Sequence, residues 1–252
     1  MIRFRQFVFR IIDRVKLTLT ASNSRANQME NRLDQWNIRW EENKTGWHLK
    51  DVNCVLLNHG DLLLSEPSRR VLVPLCGKTL DLKWFYDGGH TVVGIEGIEM
   101  PIVDFFSEHD IPYVVEQFPD GKLYKSKDGR LLMYCCDLFK LNAAILGKFD
   151  AIWDRGSLVA IYEEDRENYA KLMKSVLAPD FRYLASIVQY TPTEKFSGPP
   201  RTIPTELLQE LYGDVCEIKI VESIDRSQDE KVRNTWELDA MDEVVVLMTP
   251  KH

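Results

Sequence analysis

The chain has 252 residues, enough to bury a substantial core within one α/β domain. Its 32 basic residues against 39 acidic ones leave a net charge of -7, which argues against a broad polyanion-binding face and so against nucleic acid as a partner. Five cysteines without a CxxC pair suggest a reducing compartment rather than a zinc site or a disulfide framework, and the absence of a run of ~18 apolar residues gives no support to a membrane span.

Residues 1–30 read as a basic amphipathic extension, since MIRFRQFVFRIIDRVKLTLT carries five basic residues and one acid among apolar side chains. That composition fits a mitochondrial presequence, a membrane-surface helix or an appended tail, and it lacks the long apolar run of a secretory signal. Residues 31–252 read as one domain. Leu33, Trp36 and Trp40 recur at roughly helical spacing, as do Val52, Val55, Leu56 and His59, which predicts an extra N-terminal helical segment. From Val71 short apolar runs alternate with helical periods: VLVPL, TVVGIE, LLMYCCDL, FDAIWD, YLASIVQY, CEIKIVES and EVVVLMTP. They predict an α/β fold with a seven-stranded, mostly parallel sheet and helices on both faces, Rossmann-like in kind. The last two runs are joined without a clear helical period, so the final pair is expected to be antiparallel. The clearest helix, EEDRENYAKLMKSVLAP, places Tyr169, Leu172, Met173, Val176 and Leu177 on one face and is expected to end at Pro179.

Ligands of such sheets bind outside the carboxyl ends of the strands, so the strand ends carry the functional reading. The first ends in Pro74-Leu75-Cys76-Gly77-Lys78, where Gly77 permits a sharp turn and close approach of a ligand. The GxGxxG of a dinucleotide turn is missing, which argues against a pyrophosphate; S-adenosylmethionine has none and tolerates this turn. Glu96 ends the second strand nineteen positions after Gly77, near the ~20-residue interval at which an acid reaches a ribose hydroxyl. The third run ends in Cys135-Cys136-Asp137-Leu138, where Asp137 is placed to accept from an adenine amino group; the cysteines read more simply as packing residues. The fourth brings Asp154 and Arg155, followed by Gly156, to the side where a methyl group would leave the cofactor. Acids ending strands and adjacent charges forming ion pairs are the bland alternatives for Glu96 and for Asp154 with Arg155.

Together LCGK, DLKWFYDGGHTVVGIE, YCCDLF, GKFDAIWDRGSLVAI and YTPTEKFSGPP resemble the thiopurine S-methyltransferase family, over a stretch from about Leu33 to near the C-terminus. The resemblance implies a cytosolic class I S-adenosylmethionine-dependent methyltransferase that acts, as a monomer, on a small thiol. It implies that Trp36 and Trp40 lie on a segment closing over the cofactor, with Trp36 against it, an apt place for an aromatic face beside a sulfonium. It assigns Leu75, Glu96, Asp137 and Leu138 to the cofactor and Arg155 to both cofactor and substrate. Trp47 matches an aromatic substrate contact that is Phe in the mammalian enzymes. The segment Lys231 to Trp236 resembles the part carrying a further basic residue over the substrate; its register is shifted, and Arg233 is the candidate, with an exposed surface arginine as the alternative. The YTPTEKFSGPP loop has one residue more than the familiar version.

Methyl transfer to a thiolate cancels charge in the transition state, so alignment and exclusion of water are the main tasks. Asp154 and Arg155 are expected to hold the substrate, directly or through water, with Arg155 favouring its anionic form. Two rivals stand beside this reading: the same fold methylating a selenium or tellurium species or an aliphatic thiol, and a cofactor-binding protein that acts by interaction.

Overall fold

Alternation along the first apolar run builds the centre of the molecule: Val71 and Val73 enter one hydrophobic cluster and Leu72 the other, so this strand is covered on both faces. The fold is that of a computed structural model describing residues 32–64 and 69–251. The basic extension read in residues 1–30 lies outside the described residues. The described part falls into two units, divided after Thr45. The first holds one helix, α1 (32–41), on which the Arg39 guanidinium lies 5.1 Å from the centre of the Trp36 ring.

The second unit carries a mixed sheet in the order β3-β4-β5-β2-β1-β6-β7-β9-β8. Its strands are β1 (Arg70–Val73), β2 (Thr91–Glu96), β3 (Tyr113–Phe118), β4 (Gly121–Ser126), β5 (Leu131–Cys135), β6 (Phe149–Arg155), β7 (Leu177–Gln189), β8 (Cys216–Asp225) and β9 (Asp242–Pro250). The central five, β5-β2-β1-β6-β7, are parallel. β9 runs antiparallel to both β7 and β8, as expected for the final pair. The expected seven strands become nine among the described residues, because β3 and β4 form an unanticipated hairpin beside β5. Val114 and Val115 of β3 are both exposed, so this edge strand lacks the buried face that makes a strand visible in a sequence.

Helices α2 (Cys54–Leu63), α3 (Leu80–Asp87) and α4 (Glu99–Glu108) send Leu56, Leu82, Phe85, Ile102 and Phe105 into the cluster on one face. On the other lie α5 (Ala143–Leu146), α6 (Arg166–Ser175) and α7 (Thr205–Tyr212), contributing Leu146, Tyr169, Met173, Leu208 and Tyr212. The helix expected to run to Pro179 stops at Ser175: Leu177 is already paired with Phe149, and Pro179 lies within β7. Packing of Leu177 into the sheet outweighs its helical period. Among the described residues no helix is long and apolar enough to cross a membrane.

Candidate active site

Sheet order sets four strand ends side by side, giving the row Asp137 (β5), Glu96 (β2), Leu75 to Gly77 (β1) and Arg155 (β6). Strand order reverses here, since β1 leads to β2 on one side and β6 enters on the other, which opens a crevice at the carboxyl ends. Cross-links between neighbouring ends hold the row. The Cys136 N–H donates to the Glu96 carbonyl at 3.0 Å, the Cys76 N–H to the Ile95 carbonyl at 2.9 Å, and the Ser157 hydroxyl to the Pro74 carbonyl at 2.6 Å.

The β1 turn is built from two left-handed residues, Leu75 (φ 43°) and Gly77 (φ 51°). A non-glycine residue at such a φ costs free energy, and its occurrence here marks a turn held by its surroundings. Thr79 then caps α3, and Asp81 of that helix is buried with both oxygens engaged, accepting from the Asn53 N–H and the Trp153 indole N–H, each at 2.8 Å.

Glu96 closes the turn. One carboxylate oxygen accepts from the Gly77 N–H and the other from the Ile98 N–H, both at 2.9 Å. Burial pushes the Glu96 carboxyl above its ordinary range, opposed by the N–H groups of Ile98, Gly77 and Gly97. An acid at this place is incompatible with a phosphate on the same turn, because the Gly77 N–H already faces negative charge and Lys78 is ion-paired with Asp104 (3.0 Å) and Glu108 (2.6 Å). It suits a neutral diol, since each carboxylate oxygen keeps a second lone pair for a hydroxyl donor. Asp137 is likewise part-engaged, one oxygen accepting from the Phe139 N–H at 2.9 Å, with Leu138 buried behind it. The donor set therefore fits an adenosine-bearing cofactor without a pyrophosphate. Burial raises the neighbouring thiols, Cys135 to about 11 and Cys136 to about 12, and Cys76 is buried with its thiol pushed up as well. These cysteines pack.

Asp154 departs from the expectation that it holds substrate. It is 2% exposed, one oxygen accepts from the Leu158 N–H at 3.0 Å, and the other from the hydroxyls of Tyr169 and Tyr183, both at 2.6 Å. Its carboxylate points into the core and anchors the end of β6. The adjacent Arg155 points the other way, donating to the main-chain carbonyl of Trp47 at 2.8 Å, so the two expected substrate contacts Trp47 and Arg155 do meet. Burial lowers the Arg155 pKa, with Asp81 and Glu243 acting against the shift.

Arg233 does not reach the site. It is exposed on the five-residue π-turn Lys231–Thr235 and its guanidinium donates to Gln228 at 3.1 Å. Lys231 of the same turn, also exposed, reaches the segment before Trp47: its ammonium donates to the Gly46 carbonyl at 2.9 Å and lies 5.1 Å from the centre of the Trp236 ring. Burial and then the Arg155 charge lower its pKa. An i to i+5 bond from the Trp236 N–H to the Lys231 carbonyl widens the turn. In the YTPTEKFSGPP loop Phe196 stacks on Trp236 at 4.7 Å, and the Tyr190 hydroxyl donates to the Pro200 carbonyl at 2.7 Å. Trp36 and Trp40 stand on α1, in the unit that ends at Thr45; the residues of the row belong to the other unit.

Comparison with known proteins agrees with this fold. A solved Burkholderia thailandensis 1,6-didemethyltoxoflavin-N1-methyltransferase, with 1,6-didemethyltoxoflavin and S-adenosylhomocysteine bound, superposes with a TM-score of 0.57 at 18% identity, covering 87% of this chain and 86% of that one; it shows the shared fold. The thiopurine S-methyltransferase of Bos taurus is 41% identical over 87% of this chain and 90% of its own length. A probable thiopurine S-methyltransferase of Danio rerio is 40% identical over 87% of this chain and 95% of its own. The thiopurine S-methyltransferase family model matches residues 31–251, and with these identities the chain belongs to the thiopurine S-methyltransferase family.

Proposed function

We propose that this chain transfers the methyl group of S-adenosylmethionine to the sulfur of small aromatic or heterocyclic thiols of the thiopurine kind. The observation that carries the reading is the row Asp137, Glu96, Gly77, Arg155 across four adjacent strand ends, with two acids on one side and a cation on the other. The cofactor supplies an activated methyl on a sulfonium. Glu96 and Asp137 hold its adenosine from the acidic side, with Leu75 and Leu138 as apolar walls. Trp47, Arg155 and Lys231 receive the substrate on the other side, and the two cations favour its thiolate. Lys231 takes the part expected of Arg233. Asp154 acts as a positioning residue that fixes the end of β6, and so Arg155, through its tyrosine and Leu158 bonds. An aligned thiolate needs no nucleophilic protein side chain, because orientation alone is worth several kcal/mol of the barrier.

The five free thiols support a reducing compartment, which in this reading is the cytosol, and the protein acts there as a monomer, as the family resemblance implies. Calorimetry with S-adenosylhomocysteine and turnover on thiophenol and thiopurine thiols test the proposal. Binding in the micromolar range with S-methylated product is expected. Binding without methylation of any thiol would remove the substrate assignment and leave the cofactor.

A further inference from the structure

We infer that Phe196, in the loop between β7 and α7, is a positioning residue for the substrate: it fixes the Trp236 ring, and through that ring the Lys231 ammonium, against the strap Gly46-Trp47. The inference rests on the S-methyl transfer reading above and deepens it. A lysine ammonium is a point charge on a flexible stem, and it selects a ligand well only where its surroundings hold that stem. Here the stem rises from an exposed turn, and the ammonium is met by the Gly46 carbonyl at 2.9 Å and by the Trp236 ring, whose centre lies 5.1 Å away. Attraction of a cation to an indole acts over the face of the ring, so it depends on where the indole plane stands.

Phe196 sets that plane. Its ring stacks on the indole at 4.7 Å with 14° between the planes, and the Tyr190 ring backs it at 5.6 Å. The phenylalanine is itself held, since its N–H donates to the Thr193 hydroxyl at 3.1 Å and its carbonyl accepts from the Thr193 N–H at 3.0 Å. At the foot of the loop the Tyr190 N–H donates to the Thr202 hydroxyl at 3.1 Å, and the Arg201 N–H to the Val159 carbonyl at 2.7 Å. Lys195 and Glu237 tie the loop to the turn a second time, but both ends are exposed and such a pair contributes little. The main chain of the turn has anchors of its own: Val232 is buried, and its carbonyl accepts from the Leu238 N–H at 3.0 Å. Removing the Phe196 ring therefore frees the indole and the ammonium while the turn keeps its place. An anionic substrate then loses a fixed partner; a neutral one does not.

Steady-state kinetics at neutral pH on two thiols test this, an arenethiol ionised at that pH and an alkanethiol that is mostly protonated. Phe196→Ala is expected to raise KM for the arenethiolate about fivefold, while kcat on it and KM for the alkanethiol stay within about twofold. Calorimetry is expected to show unchanged S-adenosylhomocysteine affinity. Phe196→Tyr keeps the stack and is expected to rescue KM. Made on Lys231→Ala, Phe196→Ala should change KM for the arenethiolate by less than about 1.5-fold, because the ammonium it positions is gone. Equal rises on both thiols, or a rise of the same size without Lys231, overturn the inference and leave S-methyl transfer standing. So does Lys231→Ala with the KM of wild type. Phe196→Leu, which keeps apolar bulk without a ring face, decides in the same way where the alanine variant does not fold. Absence of methylation of any thiol by wild type, with cofactor bound, overturns both the inference and the reading it rests on.

Discussion

Replacing Asp154 by Asn separates an anchoring carboxylate from a substrate-binding one. Both tyrosine hydroxyls approach the same oxygen at 2.6 Å, within the short range of hydrogen bonds to a charged acceptor, and the Leu158 N–H takes the other at 3.0 Å. Each such bond contributes about 1.5–3 kcal/mol net, so the three together contribute about 4.5–9 kcal/mol, a large share of a typical folding stability of about 5–15 kcal/mol. Asp154→Asn keeps the volume and an oxygen for one donor but loses the charge, and about 2 kcal/mol of destabilisation is expected, or ~4–8 °C in Tm for a domain of this size. Asp154→Ala orphans three buried donors and is expected to lose at least about 4 kcal/mol. Urea unfolding followed by tryptophan fluorescence reads both, and the cycle of Asp154→Asn with Tyr183→Phe is expected to show a coupling above about 1 kcal/mol. Turnover of Asp154→Asn, measured below its melting range, should fall less than about tenfold. A variant as stable as wild type that loses turnover more than about 100-fold refutes the reasoning, because the carboxylate would then be acting on substrate.

Three further outcomes follow from the geometry. Lys231→Ala is expected to raise KM for an anionic thiol about tenfold, ~1.4 kcal/mol of binding, while Arg233→Ala stays within about twofold in the same steady-state assay. A Cβ at Gly94 would stand 2.8 Å from the Cys76 sulfur, so Gly94→Ala should cost about 1–3 kcal/mol by overpacking, and adding Cys76→Ala should recover most of it in thermal melts. Glu96 gives two pH effects of opposite sign. Its folded pKa lies above the ordinary 4.5, so its contribution to apo stability is present at low pH and lost as pH rises through the raised value. Binding of a diol to the carboxylate instead fails as pH falls through that value. Calorimetric titration with S-adenosylhomocysteine across this window, beside melts of the apo protein, should show affinity and stability moving apart, and Glu96→Gln should lose both dependences.

Strand ends were legible because apolar runs stopped by Gly, Pro or a charge have few other uses in an α/β chain. The nineteen-residue interval between Gly77 and Glu96 turns out to close on itself, the acid bonding the glycine N–H across β2 and β1. Other features escaped for physical reasons. The β3–β4 hairpin has little apolar alternation on its exposed edge, although Phe118-Pro119-Asp120-Gly121 carries a turn signal that would have located it. Asp154 owes its role to Tyr169 and Tyr183, fifteen and twenty-nine residues away, and no local pattern links an acid to partners that only folding brings near. Arg233 rather than Lys231 was the candidate because it was drawn from a resemblance whose register is shifted here, in a segment that folds as a wide π-turn.

Both clasps on the strap Gly46-Trp47, from Lys231 and from Arg155, hold main-chain carbonyls. A carbonyl survives any change of side chain, so the attachment of the strap is insulated from the amino acid written at position 47. In the proposed reading, replacing Trp47 by Phe, Leu or Met reshapes the wall met by the substrate while leaving its mounting in place. Substrate range in this chain can therefore drift, or be engineered, one residue at a time without dismantling the cofactor half of the site.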